Sequence, residues 1–484
     1  MYIFLVILLG FLLRLTNLIK PEGLWNDEYV SWFIASTPFN QGFWQEVFKQ
    51  CHMPLYYLYL KPFSFFGDTI LRLTSVVPSI IAIFVMYYAG KEYSKKTGLI
   101  SATITAILPF LVYYSQEVRF YSLAFLFSAL MLLFAIRIVK NPDKKNIIFY
   151  SLSTIILIFT HVLGIIFAFL LTAYLIIKKK WISKKIIFST SIVLVLVFLI
   201  GLNILKQLPS SQWWGTFSYT NILFLFSDFF SPILTNHVNA PPIFYYNSNP
   251  VFIALITIPT LVGLLGLILG FKKTKDFIII SFILILIMAL LAITGKIVFI
   301  TKYSIEILPI FILGFSCGLS EEKIIHKFLL CLFVFINLFS VFLPLYPAKM
   351  PRNEGHKLPT IILNRQKPDN IIFTYYAPDR FFRYLKTDSK MNHISKINRS
   401  DYMENPSAIF NGIKSGESVS IVFLNSVSFI PQNMIEKAKE QKLPEMFITF
   451  SSIRHNLTKY ATANLKEINL SKIGSWTILN GIKK

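Results

Sequence analysis

Residues 24–29, Leu24-Trp25-Asn26-Asp27-Glu28-Tyr29, place two adjacent carboxylates directly after the first apolar run of the chain. That run, residues 1–18, is close to the roughly 20 residues that cross a membrane, and no small-residue cleavage pattern follows it, so we expect a retained helix. The acidic pair then lies at a membrane surface. Asn26 or Asp27 is suited to cap a following helix, whose N-terminal dipole favours an acid. The pair is equally suited to form a reaction centre, and the two roles are compatible.

The composition is that of an integral membrane protein. Of 484 residues, 55% are hydrophobic and 47 are phenylalanine, and the mean hydropathy is +0.60. A soluble protein of this length cannot hide so much apolar surface in a core. The net charge of +23 does not indicate nucleic-acid binding, because most basic residues before position 345 lie in short loops between apolar runs. This distribution indicates membrane topology, with membrane lipid as the partner.

About eleven apolar runs are long enough to be predicted as membrane spans. They lie near residues 1–18, 67–90, 99–114, 120–138, 147–161, 162–177, 186–205, 250–271, 277–294, 303–319 and 328–346. A cytoplasmic N-terminus places most of the basic loops between them, including residues 137–145, 178–185 and 272–275, on the cytoplasmic side. This orientation satisfies the positive-inside rule, and the opposite orientation violates it.

The same orientation predicts two domains. Residues 1–345 form a transmembrane domain that includes a first outer loop at 19–66, where aromatic residues at near-helical spacing predict one or two interfacial helices. Residues 346–484 form an extracytoplasmic C-terminal domain, because an odd number of spans carries the chain across. In that domain the pattern predicts a small α/β fold. Its strands are expected near 370–375, 418–424, 446–451 and 476–479, and its helices near 379–385 and 431–441.

Acidic residues are scarce before position 345, and most of them fall at the outer face. Of thirteen, eight lie there: Glu22, Asp27, Glu28, Glu46, Asp68, Glu117, Asp228 and Glu306. Acids near a membrane are costly when they face lipid, so each should point into protein or a wet cavity. Possible companions of the acidic pair on the same side are His52, Glu117, Arg119, Tyr121, His161, Lys302 and Tyr303.

Each companion also has a purely structural interpretation. Lys302 and Glu306 are spaced i,i+4 and can form a local ion pair on a helix. Glu117 and Arg119 can pair with each other or with lipid headgroups. His52 and His161 can be packed polar residues. Together with Glu117 they would form a divalent cation site only if three separate segments converged, and they show no ligand spacing, so no metal or other cofactor is assigned.

Four motifs in order resemble the bacterial members of glycosyltransferase family 39. They are Trp25-Asn26-Asp27-Glu28, His52-Met53-Pro54-Leu55-Tyr56-Tyr57, Leu71-Arg72-Leu73-Thr74-Ser75 and Ser115-Gln116-Glu117-Val118-Arg119-Phe120-Tyr121-Ser122-Leu123. This family belongs to the GT-C superfamily and includes protein O-mannosyltransferases and lipid A aminoarabinose transferases. The resemblance is specific over residues 8–135 and looser to about 320. Lys302-Tyr303 is similar to an Arg-Tyr element of the family, with Lys in place of Arg.

The resemblance implies a mostly α-helical polytopic enzyme. It would transfer a sugar from a polyprenyl-phosphate carrier to a hydroxyl acceptor (lipid, glycan or protein) on the outer face, with inversion. Asp27 matches the residue that accepts the acceptor's proton, with Glu28 orienting the site. The leaving phosphate needs cations, and Arg119 is the first candidate, followed by Lys302 and Arg72.

Two other classes of function compete with this interpretation. A transporter or flippase of lipid-linked sugars usually has polar groups or broken helices at mid-membrane, whereas here the acids gather at one face. An adhesion or sensing protein anchored in the membrane needs far fewer spans than eleven, and it leaves the four motifs unexplained.

Overall fold

The structure is a computed structural model that describes most of the first 350 residues and parts of the rest. The described residues are 2–178 except 17, 21, 22 and 51, then 217–234 except 218, then 250–343 except 296 and 298, and finally 357–373, 383–385, 393–396, 413–424, 461, 464–473 and 476–484. The predicted span at 186–205, strand at 446–451 and helix at 431–441 lie outside them. The predicted helix at 379–385 lies mostly outside them.

The described residues form two compact units. The first unit comprises residues 1–19, 30–211 and 216–350, and the second comprises residues 20–29, 212–215 and 351–484. In the second unit the backbone N–H of Leu24 donates to the hydroxyl of Tyr384 at 2.8 Å. Gly23 has a φ of 77°, and a side chain there would collide with Lys357 and Tyr384. The segment with the acidic pair is therefore grouped with the C-terminal residues.

The first unit is built from apolar helices. They are α1 (Tyr2–Leu15), α2 (Asn26–Ser36), α3 (Gln41–Lys49), α4 (Leu55–Leu60), α5 (Asp68–Lys91), α6 (Lys95–Ile107), α7 (Pro109–Ser115), α8 (Tyr121–Lys140), α9 (Lys144–Thr160), α10 (Val162–Lys178), α11 (Thr220–Phe230), α12 (Pro250–Ile293), α13 (Leu308–Leu319) and α14 (Ile324–Phe339). Short 3₁₀ helices cover Lys61–Phe63, Thr301–Ile307 and Ser340–Phe342. α2 begins in the segment grouped with the second unit and continues into the first.

Several of these helices are long and apolar enough to cross a membrane. Within the described residues there are five such helices, and the bent pair α6–α7 makes a sixth. Shorter apolar helices are α1, α10 and α11. The chain is thus a multi-pass membrane protein. The fifth and sixth predicted spans are separate helices, α9 and α10, which break at His161.

The predicted first outer loop, residues 19–66, contains three short helices among its described residues rather than the one or two that were predicted. Asn40 starts α3, because its side chain accepts from the N–H of Gly42 at 2.9 Å. Pro54 precedes α4 and has no N–H to continue a helix from the residues before it. These two residues divide the aromatic segment into separate helices.

Two predicted spans, 250–271 and 277–294, are wrong as separate helices. α12 runs without interruption through 44 residues, which at 1.5 Å per residue is about 66 Å, more than twice the hydrocarbon thickness. The lysines predicted to form a loop, Lys272, Lys273 and Lys275, are exposed on this helix. The segment contains no Pro or Gly from 271 to 276 to stop the helix. Charge alone therefore indicated a helix end where none occurs.

α6 and α7 are separated by a break with a clear cause. Pro109 has no N–H to donate to the carbonyl of Thr105, and the two helices are bent by 56°. The buried guanidinium of Arg14 on α1 donates to the carbonyls of Thr105 at 3.0 Å and Ala106 at 2.9 Å. It also donates to Ser79 Oγ on α5 at 2.7 Å. Arg14 thus joins three helices and satisfies backbone groups at the break.

The described residues of the second unit form a five-stranded mixed sheet and one helix. The elements are α15 (Lys357–Gln366), β1 (Asn370–Phe373), β2 (His393–Lys396), β3 (Ser418–Leu424), β4 (Leu465–Ile473) and β5 (Trp476–Lys483). The strand order is β2-β1-β3-β5-β4, with β1 parallel to β2 and β3, and β5 antiparallel to β3 and β4. This is the predicted α/β domain, with β1, β3 and β5 near the expected strands and β2, β4 and α15 in addition.

Candidate active site

The turn between α7 and α8 places Arg119 inside the first unit. Its side chain is buried, and Nη1 donates to the hydroxyl of Ser31 on α2 at 3.3 Å. The guanidinium carbon lies 5.1 Å from the ring centre of Phe120 and 6.0 Å from that of Tyr121. Aromatic faces attract cations. The guanidinium is therefore held against the first residues of α8.

Lys302 reaches the same tyrosine from a distant part of the sequence. It lies on the 3₁₀ helix Thr301–Ile307 and is only 2% exposed. Its Nζ is 5.7 Å from the ring centre of Tyr121 and 5.5 Å from that of Tyr303. Arg119, Tyr121 and Lys302 are called the cation pocket below. Two buried positive charges on one ring concentrate positive potential, which favours an anionic group.

His161 and Glu306 form a buried pair beside the cation pocket. His161 is the residue between α9 and α10, and its Nδ1–H donates to Oε1 of Glu306 in a short hydrogen bond. Glu306 is completely buried. Lys302 and Glu306 lie in a 3₁₀ segment that is kinked at Ser304 rather than in an α-helix, and Glu306 pairs with His161.

Phe120 lies between the groups of this site. Its ring stacks on that of His161 with 4.6 Å between centres, and the ring of His52 meets its edge at 5.6 Å. His52 forms a short hydrogen bond with the hydroxyl of Tyr57. Burial raises the pKa of Tyr56 on α4 well above its ordinary value, although the charge of Arg119 lowers it, so this phenol stays protonated. Phe120 thus contacts the rings of both His52 and His161.

The acidic pair lies in the first turn of α2. Oε2 of Glu28 accepts from the backbone N–H of Trp25 at 3.2 Å, which is one half of a capping box. Glu28 therefore caps the helix. Asp27 is only partly buried, while Glu28 is fully buried. Ser31, one turn after Asp27 on the same helix, is the residue that accepts from Arg119.

The remaining candidates each make a further hydrogen bond. Arg72 on α5 is fully buried, and its Nη1 donates to the carbonyl of Leu18 at 3.5 Å. Glu117 is buried in the turn before Arg119, and its carbonyl accepts from the N–H of that residue at 2.8 Å. Among the residues that the structure describes, no three His, Cys, Asp or Glu side chains are arranged to hold a metal ion.

Sequence reasoning missed three residues of this region: Arg14, Ser31 and Phe120. A single arginine inside the first apolar run is itself a signal, since an ionisable group in a membrane helix usually faces protein partners. Phe120 belongs to a quoted motif, but its role as a shared ring neighbour depends on three segments that are far apart in sequence. Ser31 has no signal in the sequence.

Comparison with known proteins supports a particular fold. Residues 56–202 match the family model for dolichyl-phosphate-mannose-protein mannosyltransferases, which is less than a third of the chain. The structure resembles that of ArnT from Cupriavidus metallidurans bound to undecaprenyl phosphate, with a TM-score of 0.51, 11% identity, and coverage of 99% of this chain and 98% of that chain. The apo form of ArnT gives a TM-score of 0.53 at 11% identity, covering 99% and 97% of the two chains. A comparison with curated proteins gives no match. The fold predicted from the sequence is confirmed.

Proposed function

We propose that this multi-pass membrane protein with the GT-C fold transfers a sugar from a polyprenyl-phosphate carrier to a hydroxyl acceptor. The transfer takes place on the outer face of the membrane with inversion at the anomeric carbon. The cytoplasmic N-terminus and the extracytoplasmic C-terminal domain of this proposal rest on the distribution of basic loops.

The cation pocket is the observation that carries the proposal. Lipid-linked sugars of this class leave a phosphate at the membrane surface, and the developing negative charge must be stabilised there. Arg119 and Lys302 are buried against Tyr121 in a unit whose helices contain few charges. Guanidinium and ammonium groups in a site that excludes water stabilise phosphate oxygens strongly. We assign the phosphate to these two residues and leave Arg72 as a weaker candidate.

The acceptor's proton needs a base, and we assign that role to Asp27. The assignment rests on the motif Trp25-Asn26-Asp27-Glu28 and on the position of Asp27 one turn before Ser31. Attack by the acceptor oxygen on the anomeric carbon proceeds as its proton passes to the carboxylate. Glu28 acts as a positioning residue, because it fixes the start of the helix that carries Asp27.

Similarity to known proteins supports a lipid-linked donor. The matching family model describes transfer from dolichyl phosphate mannose, and the ArnT structure was obtained with undecaprenyl phosphate. Both carriers are polyprenyl phosphates. The proposal therefore specifies the class of the donor, and it specifies neither the sugar nor the acceptor.

The test is transfer by purified full-length protein from polyprenyl-phosphate sugars to a hydroxyl acceptor. We expect Asp27→Asn to lower kcat by at least a hundredfold with donor affinity retained, since general base catalysis contributes about 10²–10⁴. The matched control is Asp68→Asn, an acid in the first turn of another helix, α5. Activity of Asp27→Asn within a few-fold of the parent contradicts the assignment. Movement of donor across vesicles without transfer would support the transporter instead.

A further inference from the structure

We infer that His161, oriented by the buried carboxylate of Glu306, recognises the phosphate monoester that the reaction releases. The proposed function is the basis of this inference, and it adds a role for the pair beside the cation pocket. The pair would distinguish the product phosphate from the phosphodiester of the donor.

The charge balance of the reaction gives such a group a role. The donor is a phosphodiester with one negative charge. When the bond from the anomeric carbon to the phosphate oxygen breaks, both electrons go to that oxygen, while the acceptor oxygen forms the new bond and its proton passes to the base. The released phosphate monoester has a second pKa near 6 and carries between about −1.5 and −2 at pH 7. A hydrogen-bond donor that binds the phosphate more strongly as its negative charge grows accelerates the step. It does so because it stabilises the transition state more than it stabilises the bound donor.

The position of His161 places it next to both cations. Its ring stacks on Phe120, whose ring centre is also 5.1 Å from the guanidinium carbon of Arg119. On another side, its ring centre is 6.4 Å from that of Tyr303, whose ring also lies 5.5 Å from Nζ of Lys302. His161 therefore shares one aromatic neighbour with each residue of the cation pair.

Glu306 fixes the direction of His161. The carboxyl group is 0% exposed, and its other oxygen, Oε2, is buried without a hydrogen-bond partner among the described residues. The hydrogen bond from Nδ1 makes His161 the partner of this buried group. With Nδ1 engaged by Glu306, Nε2 is the nitrogen left to donate to a ligand. This arrangement is a donor of fixed orientation, as in a carboxylate–histidine dyad.

The experiment compares two probes on purified full-length protein in nanodiscs at pH 7.5. The monoester is undecaprenyl phosphate, and the diester is its methyl ester, which carries a single charge. The variants are His161→Gln and Glu306→Gln. The matched control is His326→Gln, since His326 is also buried and lies 3.9 Å from a glutamate, Glu321. Thermal unfolding of each variant verifies its folding.

We expect both variants to bind the monoester about tenfold to a hundredfold more weakly, the effect of losing one hydrogen bond to a charged group. Affinity for the diester should change less than threefold, and His326→Gln should behave as the parent. Glu306→Gln keeps the imidazole and tests the contact that orients it, even if His161→Gln folds poorly. An unchanged ratio of the two affinities in a folded variant overturns this inference alone. If the parent protein fails to bind undecaprenyl phosphate, the proposed function fails with it.

Discussion

Removal of the Arg119 guanidinium should weaken the binding of a lipid phosphate far more than it weakens the fold. The side chain is 4% exposed and lies between Ser31 and the rings of Phe120 and Tyr121. A unit charge 4 Å from a phosphate charge gains about 4 kcal/mol at an effective dielectric constant of 20. When the side chain is removed, solvent enters the space that it leaves and offsets part of the lost interaction energy.

The net cost of Arg119→Ala is therefore about 2 to 4 kcal/mol, within the range seen when one partner of a desolvated charge pair is truncated. This corresponds to about 30-fold to 1000-fold weaker binding. Arg119→Lys keeps the charge but loses the planar fork, so we expect about tenfold weaker binding. Because the charge is buried, the loss should depend little on salt.

The assay is titration of undecaprenyl phosphate into the purified variants in nanodiscs. Arg137→Ala is the matched control, because Arg137 lies in the last turn of α8, at the opposite end from Arg119, and pairs with Glu92 at 2.8 Å. It removes the same charge from a half-exposed position. If Arg119→Ala binds undecaprenyl phosphate within twofold of the parent, the phosphate does not contact this residue and the reasoning is refuted.

Two further predictions concern the loops and the helix packing. The hydrogen bond from Lys327 lowers the pKa of Glu322 from 4.5 to about 2, so its contribution to stability is present above pH 4.5 and is lost as the pH falls toward 2. Thermal unfolding in detergent should therefore show a smaller acid loss for Glu322→Gln than for the parent, and equal losses would contradict this pairing. Gly270→Ala should unfold at markedly lower temperature, since a Cβ there overlaps the carbonyl oxygen of Gly314 on α13. Gly67→Ala, where a Cβ meets no atom within 4 Å, is the control and should unfold like the parent.

Periodicity and apolar length predicted most of the helices correctly. α5, α8, α9 and α10 occur where residues 67–90, 120–138, 147–161 and 162–177 were expected. These predictions succeed because a helix in lipid must satisfy all its backbone groups within the segment. Length and hydropathy therefore largely determine where such a helix forms. The continuous α12 shows the limit of this logic. The polar segment that contains Lys272, Lys273 and Lys275 resembles a loop, but it has no Pro or Gly to end the helix.

The site was predicted only in part from the sequence. Arg119 and Lys302 were named as phosphate candidates, and the structure brings both to Tyr121. The partner of Glu306 was not predictable, because an i,i+4 spacing implies an α-helix and the segment is a 3₁₀ helix. The role of Asp27 remains a prediction for the transfer assay above, and the role of Arg72 also remains a prediction.

The acidic motif, the apolar runs and the sparse charges are properties of the sequence by itself, and they determined a multi-pass membrane protein. Local chemistry is sufficient for this, since each run is independently unfavourable in water. Only the tertiary structure decided which polar groups meet. Arg119, His161 and Lys302 come from three distant segments, and their convergence on Phe120, Tyr121 and Tyr303 depends on how whole helices pack. No local spacing encodes such packing, because it arises from side-chain contacts summed over the entire unit.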